Sequence, residues 1–249
     1  MATGLLLVGH GSRDPLTRQE HNDLEARMRE HFPEWRVASG FIELSDPPLA
    51  VALTALAQRC DRVVVAPLLL FAGGHMQRDV PLALIEAQRA APQTQFVISE
   101  PLGLSVHTLD LAVERLGRHE REGVASVCLV VGRGAAERVA QESFQQVVDT
   151  LASRRPHHHY AVAYCGVQAP SVFDALDAHA RQGCSHAIVV PYLLFTGTLH
   201  QEIGRAVAGV RKQHPSIDVD LAGHLGPAAA RAVAAQVSLA ISGGFMPKS

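Results

Sequence analysis

The sequence predicts an α/β protein of two tandem lobes, each a parallel four-stranded sheet with helices on both faces. Two observations carry this expectation. Short runs rich in leucine and β-branched residues alternate with longer helical patterns, as in consecutive βα units. The chain also repeats itself, with three markers recurring in order at nearly constant spacing. Gly9 in Leu5-Leu6-Leu7-Val8-Gly9-His10-Gly11 returns 123 positions later as Gly132 in Leu129-Val130-Val131-Gly132-Arg133-Gly134. Pro67-Leu68-Leu69-Leu70-Phe71 returns 124 positions later as Pro191-Tyr192-Leu193-Leu194-Phe195, and Leu102-Gly103 returns 123 later as Leu225-Gly226.

Each element follows from its local pattern. Strands are expected at 5–8, 36–40, 62–67 and 95–98, with helices at 15–31, 47–59, 77–91 and 105–117. The second copy places strands near 127–131, 159–164, 186–191 and 217–221, and helices near 135–153, 170–182, 199–213 and 227–240. Val63-Val64-Val65-Ala66-Pro67 is apolar at every position, as a central parallel strand buried on both faces requires. The polar segment Glu120-Arg121-Glu122-Gly123 marks the boundary, giving lobes 1–122 and 123–249. The tail at 242–249 is expected to be loosely held.

Composition excludes several functions. With 22 basic and 24 acidic residues the net charge is −2. No basic block is present to meet nucleic acid or an anionic membrane. No apolar stretch approaches the length of a membrane span, and the start lacks the pattern of a signal peptide. Cys60, Cys128, Cys165 and Cys184 are scattered without CxxC spacing. They fit a reducing cytoplasm rather than a disulfide framework or a zinc site.

The repeat also locates the chemistry. A fold needs its glycines and apolar runs in both copies, whereas a single site needs its special side chains once. In a sheet of order 2-1-3-4 the first and third strands flank the switch point, where ligands bind at the carboxyl ends. His10 follows the first strand there and His75 the third; Arg133 and Leu199 replace them in the second copy. Glu43 follows the second strand at the same rim, and Gln168 is read as its uncharged counterpart. These three are the candidate catalytic residues. Ser12, Arg13, Arg78 and Arg133 are the candidate substrate-binding residues, their guanidiniums suiting a substrate with several carboxylates. Arg205 lies near the same loops. His200 is read as a polar residue of a helix's first turn, with a ligand role as the alternative, and His157-His158-His159 as a solvated strand entrance, with weak adventitious metal binding as the alternative. His21, His186 and the remaining histidines receive no role.

At these residues the chain resembles the sirohydrochlorin chelatases of the CbiX/SirB group, within the class II chelatase superfamily. The matching strings are Leu7-Val8-Gly9-His10-Gly11-Ser12-Arg13, Gly40-Phe41-Ile42-Glu43-Leu44 with Pro47, and Pro67-Leu68-Leu69-Leu70-Phe71 through Gly73-Gly74-His75 with Arg78-Asp79. Val190-Pro191-Tyr192-Leu193-Leu194-Phe195-Thr196-Gly197 looks like the degenerate repeat of the long, fused members. The resemblance implies two flavodoxin-like lobes around a cleft that inserts a divalent metal into sirohydrochlorin. It carries metal contact over to His10 and His75, and Glu43 over by analogy with the cleft carboxylate of related chelatases; Glu43 or one of the histidines then serves as the base. Fe²⁺ or Co²⁺ is then a substrate ion, with no permanently bound cofactor. Iron would make siroheme and cobalt would feed cobalamin synthesis. The chain lacks the histidine-rich stretch and cysteine cluster of some cobalt-associated relatives, which points to iron. A fused chain supplies in cis what a one-lobe relative obtains by dimerising, so a monomer is expected. The alternatives are a non-enzymatic protein that binds and delivers metal or tetrapyrrole, and a phosphate-handling enzyme with His10 as nucleophile. Gly9, where such an enzyme would carry arginine, speaks against the latter.

Overall fold

The computed structural model of the chain describes residues 1–71, 73–166 and 168–243, apart from the side chains of His75, Met76 and Gln77. The tail beyond Gly243 lies outside the described residues. The first repeat runs β1 (Thr3–Gly9), α1 (Pro15–His31), β2 (Arg36–Phe41), α2 (Leu49–Ala57), β3 (Arg62–Pro67), α3 (Gly74–Ala90), β4 (Gln95–Ile98) and α4 (Val106–Gly117). The second runs β5 (Val127–Gly132), α5 (Arg138–Arg154), β6 (His159–Tyr164), α6 (Val172–Arg181), β7 (His186–Pro191), α7 (Thr198–Gln213) and β8 (Asp218–Leu221). A short 3₁₀ turn at Gly226–Ala229 then leads into α8 (Ala230–Ser242). Two parallel four-stranded sheets result, of order β2-β1-β3-β4 and β6-β5-β7-β8.

Burial explains why these runs are strands. Leu5, Leu6, Leu7 and Val8 of β1 and Val63, Val64 and Val65 of β3 are wholly buried. Leu6, Val8, Val63 and Val65 pack on one face against Leu53 of α2 and Val80 of α3. Leu5 and Leu7 alternate onto the other face. The second sheet repeats this, with Leu129, Val131, Ala187 and Val189 against Leu176 of α6 and Ile203 of α7. Helix α1 starts where Asp14 caps it, its carboxylate accepting from the Leu16 and Thr17 N–H groups. Pro15 stands at the first helical position, where its missing N–H costs nothing.

The repeat and the packing do not divide the chain alike. The expected boundary at 122/123 follows the repeat, but the compact units are 1–105 with 227–249, and 106–226. Helix α4 closes the first copy in sequence yet packs on α5 and β7, while α8 packs on α1, β3 and β4. Each unit thus takes its last helix from the other repeat. Among the described residues no helix is long and apolar enough to cross a membrane.

Candidate active site

The site in the first unit is built by extending the β1–β2 pairing past the ends of the strands. The ladder closes with Gly9 opposite Phe41. The backbone then continues it, with the Ile42 N–H donating to the Gly9 carbonyl and the Glu43 N–H to the His10 carbonyl, both at 3.0 Å. This brings His10 Nε2 to 3.4 Å from Glu43 Oε1. The imidazole is mostly buried and the carboxylate half exposed, so the pair faces outward from a firm backing.

Glycines make the approach possible. Gly11 has φ +94°, and a Cβ there would lie 1.7 Å from the Glu43 carbonyl oxygen. A Cβ on Gly9 would lie 2.9 Å from His21 Cε1 and 3.0 Å from the Phe41 ring. Beneath Gly9, His21 Nε2 donates to Ser39 Oγ at 2.8 Å, and that hydroxyl donates to Glu25. Burial lowers the His21 pKa, against the opposing pull of Glu25.

A second tie crosses the same two loops. The Ser12 N–H donates to Ser45 Oγ at 3.0 Å, and Ser45 Oγ donates back to the Ser12 carbonyl at 3.2 Å. The Ser12 hydroxyl accepts from the Asp14 N–H at 3.1 Å, so it also serves the turn. Between Glu43 and Ser45, Leu44 has φ +59°, the only positive φ outside glycine among the described residues. For leucine that conformation costs roughly 1–2 kcal/mol. Such local strain is concentrated at functional loops. Neither the Ser45 clasp, the His21 floor nor the Leu44 backbone was expected from the sequence; serine and histidine are too common to signal such roles alone.

The other candidates are placed as follows. Helix α3 starts at Gly74, three residues before its expected start, which puts His75 on the first turn of the helix rather than in the preceding loop. Its side chain lies outside the described ones. Arg78 is exposed on α3 and ion-paired to its neighbour Asp79 at 2.9 Å. Arg13 is exposed just beyond Ser12. Arg133 follows β5 in the second unit and is also exposed. Gln168 is not the counterpart of Glu43. Its Oε1 accepts from the Ala135 N–H at 2.8 Å, as Ser45 Oγ accepts from Ser12, and both pairs are related by 123 positions. Tyr164 donates to the Pro170 carbonyl as Phe41 does to Pro47, which fixes the same register. Glu43 therefore corresponds to Gly166, where a Cβ would lie 2.3 Å from the Arg133 carbonyl oxygen. At this position the second unit has the clasp but no carboxylate.

Two further histidines are buried and hydrogen-bonded. His186, expected to have no role, is buried at the start of β7, donating from Nε2 to Asp220 at 2.9 Å and accepting from Ser126 Oγ at 2.7 Å. This chain has the membership of a hydrolytic triad, but Ser126 is wholly buried at the amino ends of the strands. His158 is likewise buried rather than solvated, and bonded to Glu120 at 3.1 Å.

The comparisons with known proteins agree with this architecture. The chain is 29% identical over 230 residues to a sirohydrochlorin cobaltochelatase of Priestia megaterium, covering 89% of this chain and 74% of that protein. It is 28% identical over 205 residues to a sirohydrochlorin ferrochelatase of the same organism, covering 80% and 76%. SirB from Bacillus subtilis, solved with Fe³⁺, shares its fold with a TM-score of 0.86 over 98% of both chains at 23% identity. The CbiX family model matches residues 4–119 and again 127–238, one match for each repeat, and the chain accordingly belongs to the CbiX family.

Proposed function

We propose that this protein is a sirohydrochlorin chelatase, inserting Fe²⁺ or Co²⁺ into the metal-free macrocycle at the carboxyl ends of the first sheet. The observation that carries the reading is the pairing of His10 Nε2 with Glu43 Oε1 at 3.4 Å. It sets a neutral nitrogen ligand beside a carboxylate. Imidazole suits borderline first-row ions, and a site with few strong protein ligands releases its ion to a better chelator. The tetrapyrrole nitrogens are that chelator. His10 and His75 hold the incoming ion. As it enters the ring the two pyrrole N–H protons must leave one after the other, and Glu43, held beside His10 by their backbone bond, accepts each and passes it to solvent from its half-exposed position.

The substrate's peripheral carboxylates call for cations. Arg13 and Arg78 of the first unit supply them, both exposed as a carboxylate contact requires. Ser12 orders the loop that presents His10. The reading includes a monomer in a reducing compartment, with two repeats in one chain and all four cysteines unpaired.

The test is anaerobic insertion kinetics with sirohydrochlorin, following loss of the metal-free absorption with Fe²⁺ and Co²⁺ in parallel and His10→Ala as control. Acceleration over the protein-free rate that disappears in His10→Ala is expected, and the ratio of specificity constants then names the metal. Binding of metal or macrocycle without acceleration would leave a delivery protein.

A further inference from the structure

Outside the active site, Glu120, His157 and His158 are the group among the described residues that has the spacing of metal ligands, their donor atoms lying within 4.8 Å of one another. Glu120 Oε1 is 3.5 Å from His157 Nε2 and 3.1 Å from His158 Nε2. Ligand atoms bound tetrahedrally at about 2.1 Å stand about 3.4 Å apart, so the carboxylate already lies at ligand distance from both rings. We propose that these three residues form a second divalent-cation site, which fastens the segment between the two repeats to the second sheet.

The placement supports this. Glu120 belongs to the connection between α4 and β5, and His157 and His158 directly precede β6. The cluster thus lies at the amino ends of the strands, whereas Arg133 and the loops matching the candidate site of the first unit lie at the carboxyl ends. A cavity of about 490 Å³, lined in part by Glu120, Glu122 and His157, opens onto the cluster. His157 is exposed and gives an ion access, while His158 is buried and supplies a fixed ligand. The first repeat has Glu34 and Trp35 at the corresponding positions, so no inherited feature of the fold demands the two histidines.

The chemistry selects the ion. Arg155 Nε stands 3.6 Å from the same Glu120 oxygen and offsets its charge. Affinity therefore rests on the imidazoles, which favours Zn²⁺, Co²⁺ or Ni²⁺ over Ca²⁺ and Mg²⁺. Without an ion, the Ser126 N–H donates to His158 Nδ1 at 3.2 Å, which leaves the ring proton on Nε2 facing Glu120. An ion at Nε2 takes that proton's place; the proton moves to Nδ1 and the Ser126 bond ends. Ser126 is therefore a reporter of occupancy.

Zn²⁺ serves as the probe, with the full-length His10→Ala/His75→Ala double variant removing the proposed substrate-ion site. Equilibrium dialysis is expected to find one Zn²⁺ retained per chain, with the Ser126 amide resonance displaced on binding. Adding His157→Ala or Glu120→Gln is expected to weaken binding by at least about 10–100-fold, the loss that removing even an outer partner of a metal ligand causes. His157→Ala alone is expected to leave macrocycle metallation unchanged, and its exposed position preserves the fold. Absence of bound Zn²⁺ in the double variant would overturn the proposal, as would retention unaffected by both added substitutions. Neither result bears on the reading of His10 and Glu43.

Discussion

Glu43 is held to His10 twice, by a backbone hydrogen bond of 3.0 Å and by a side-chain approach of 3.4 Å. The first fixes the second, since two residues whose main chains are paired cannot drift apart. The proposed division of labour therefore separates under substitution. Glu43→Gln keeps size and backbone pairing but removes the base. It is expected to lower kcat for metallation by about 10²–10⁴-fold, with metal affinity little changed. His10→Ala is expected to lose metal binding and turnover together. Steady-state kinetics beside metal titration distinguishes the two, and equal loss of affinity in both variants would make Glu43 a ligand instead.

Gly11 and Gly134 offer a matched comparison. Both have positive φ, +94° and +87°, so alanine at either costs roughly 1–2 kcal/mol in backbone conformation. The added Cβ meets different things. At Gly11 it lies 1.7 Å from the Glu43 carbonyl oxygen, whereas at Gly134 it lies 2.8 Å from the Gln168 side-chain oxygen, which can shift at the cost of its bond to Ala135. Gly11→Ala is expected to cost about 1–3 kcal/mol more in urea unfolding and to eliminate activity. Gly134→Ala is expected to retain turnover. Comparable stability losses would show that the β1–α1 loop yields more readily than its packing implies.

Much of this was legible in the sequence, for identifiable reasons. β3, β4, β6 and β7 fall at their expected residues because their apolar runs end abruptly at polar, glycine or proline positions. The order 2-1-3-4 followed from the alternating βα pattern of a doubly wound sheet, and the repeat carried it to the second copy. What escaped depends on contacts the pattern does not encode. Gln168 was paired with Glu43 by chemical likeness, because the loop between β6 and α6 carries no apolar marker to set the register. The reassignment of α4 and α8 was equally hidden, since amphipathicity says that a helix packs but not on which sheet. His158 looked solvated because its partners Glu120 and Ser126 are distant in sequence, and nothing local signalled the bonds of His186 to Ser126 and Asp220.

The Ser45 clasp tests whether order in this loop matters to turnover. Ser45→Ala removes two hydrogen bonds, worth about 1 kcal/mol each, and frees the chain beside Glu43. Gln168→Ala removes the equivalent tie in the second unit. Both are expected to lower thermal stability modestly. Only Ser45→Ala is expected to reduce kcat, and by several-fold, because only its loop carries the candidate base. Equal activity in the two variants would show that the backbone pairing between His10 and Glu43 suffices without the clasp.

His21 couples the same loop to pH. It is 4% exposed under Gly9, and burial holds its pKa below the ordinary value despite Glu25. The unfolded chain takes up a proton as pH falls through about 6.5, while the folded chain does so only at lower pH. The associated stability is therefore fully present above about pH 6.5 and drains away as pH falls toward the lowered folded value. His21→Asn retains a donor for Ser39 but cannot titrate. Urea unfolding at a series of pH values is expected to show a flatter profile for the variant below about pH 6.5. Parallel profiles would assign the acid sensitivity elsewhere. A steeper wild-type profile would mean that protonating the floor beneath Gly9 loosens the turn that carries His10.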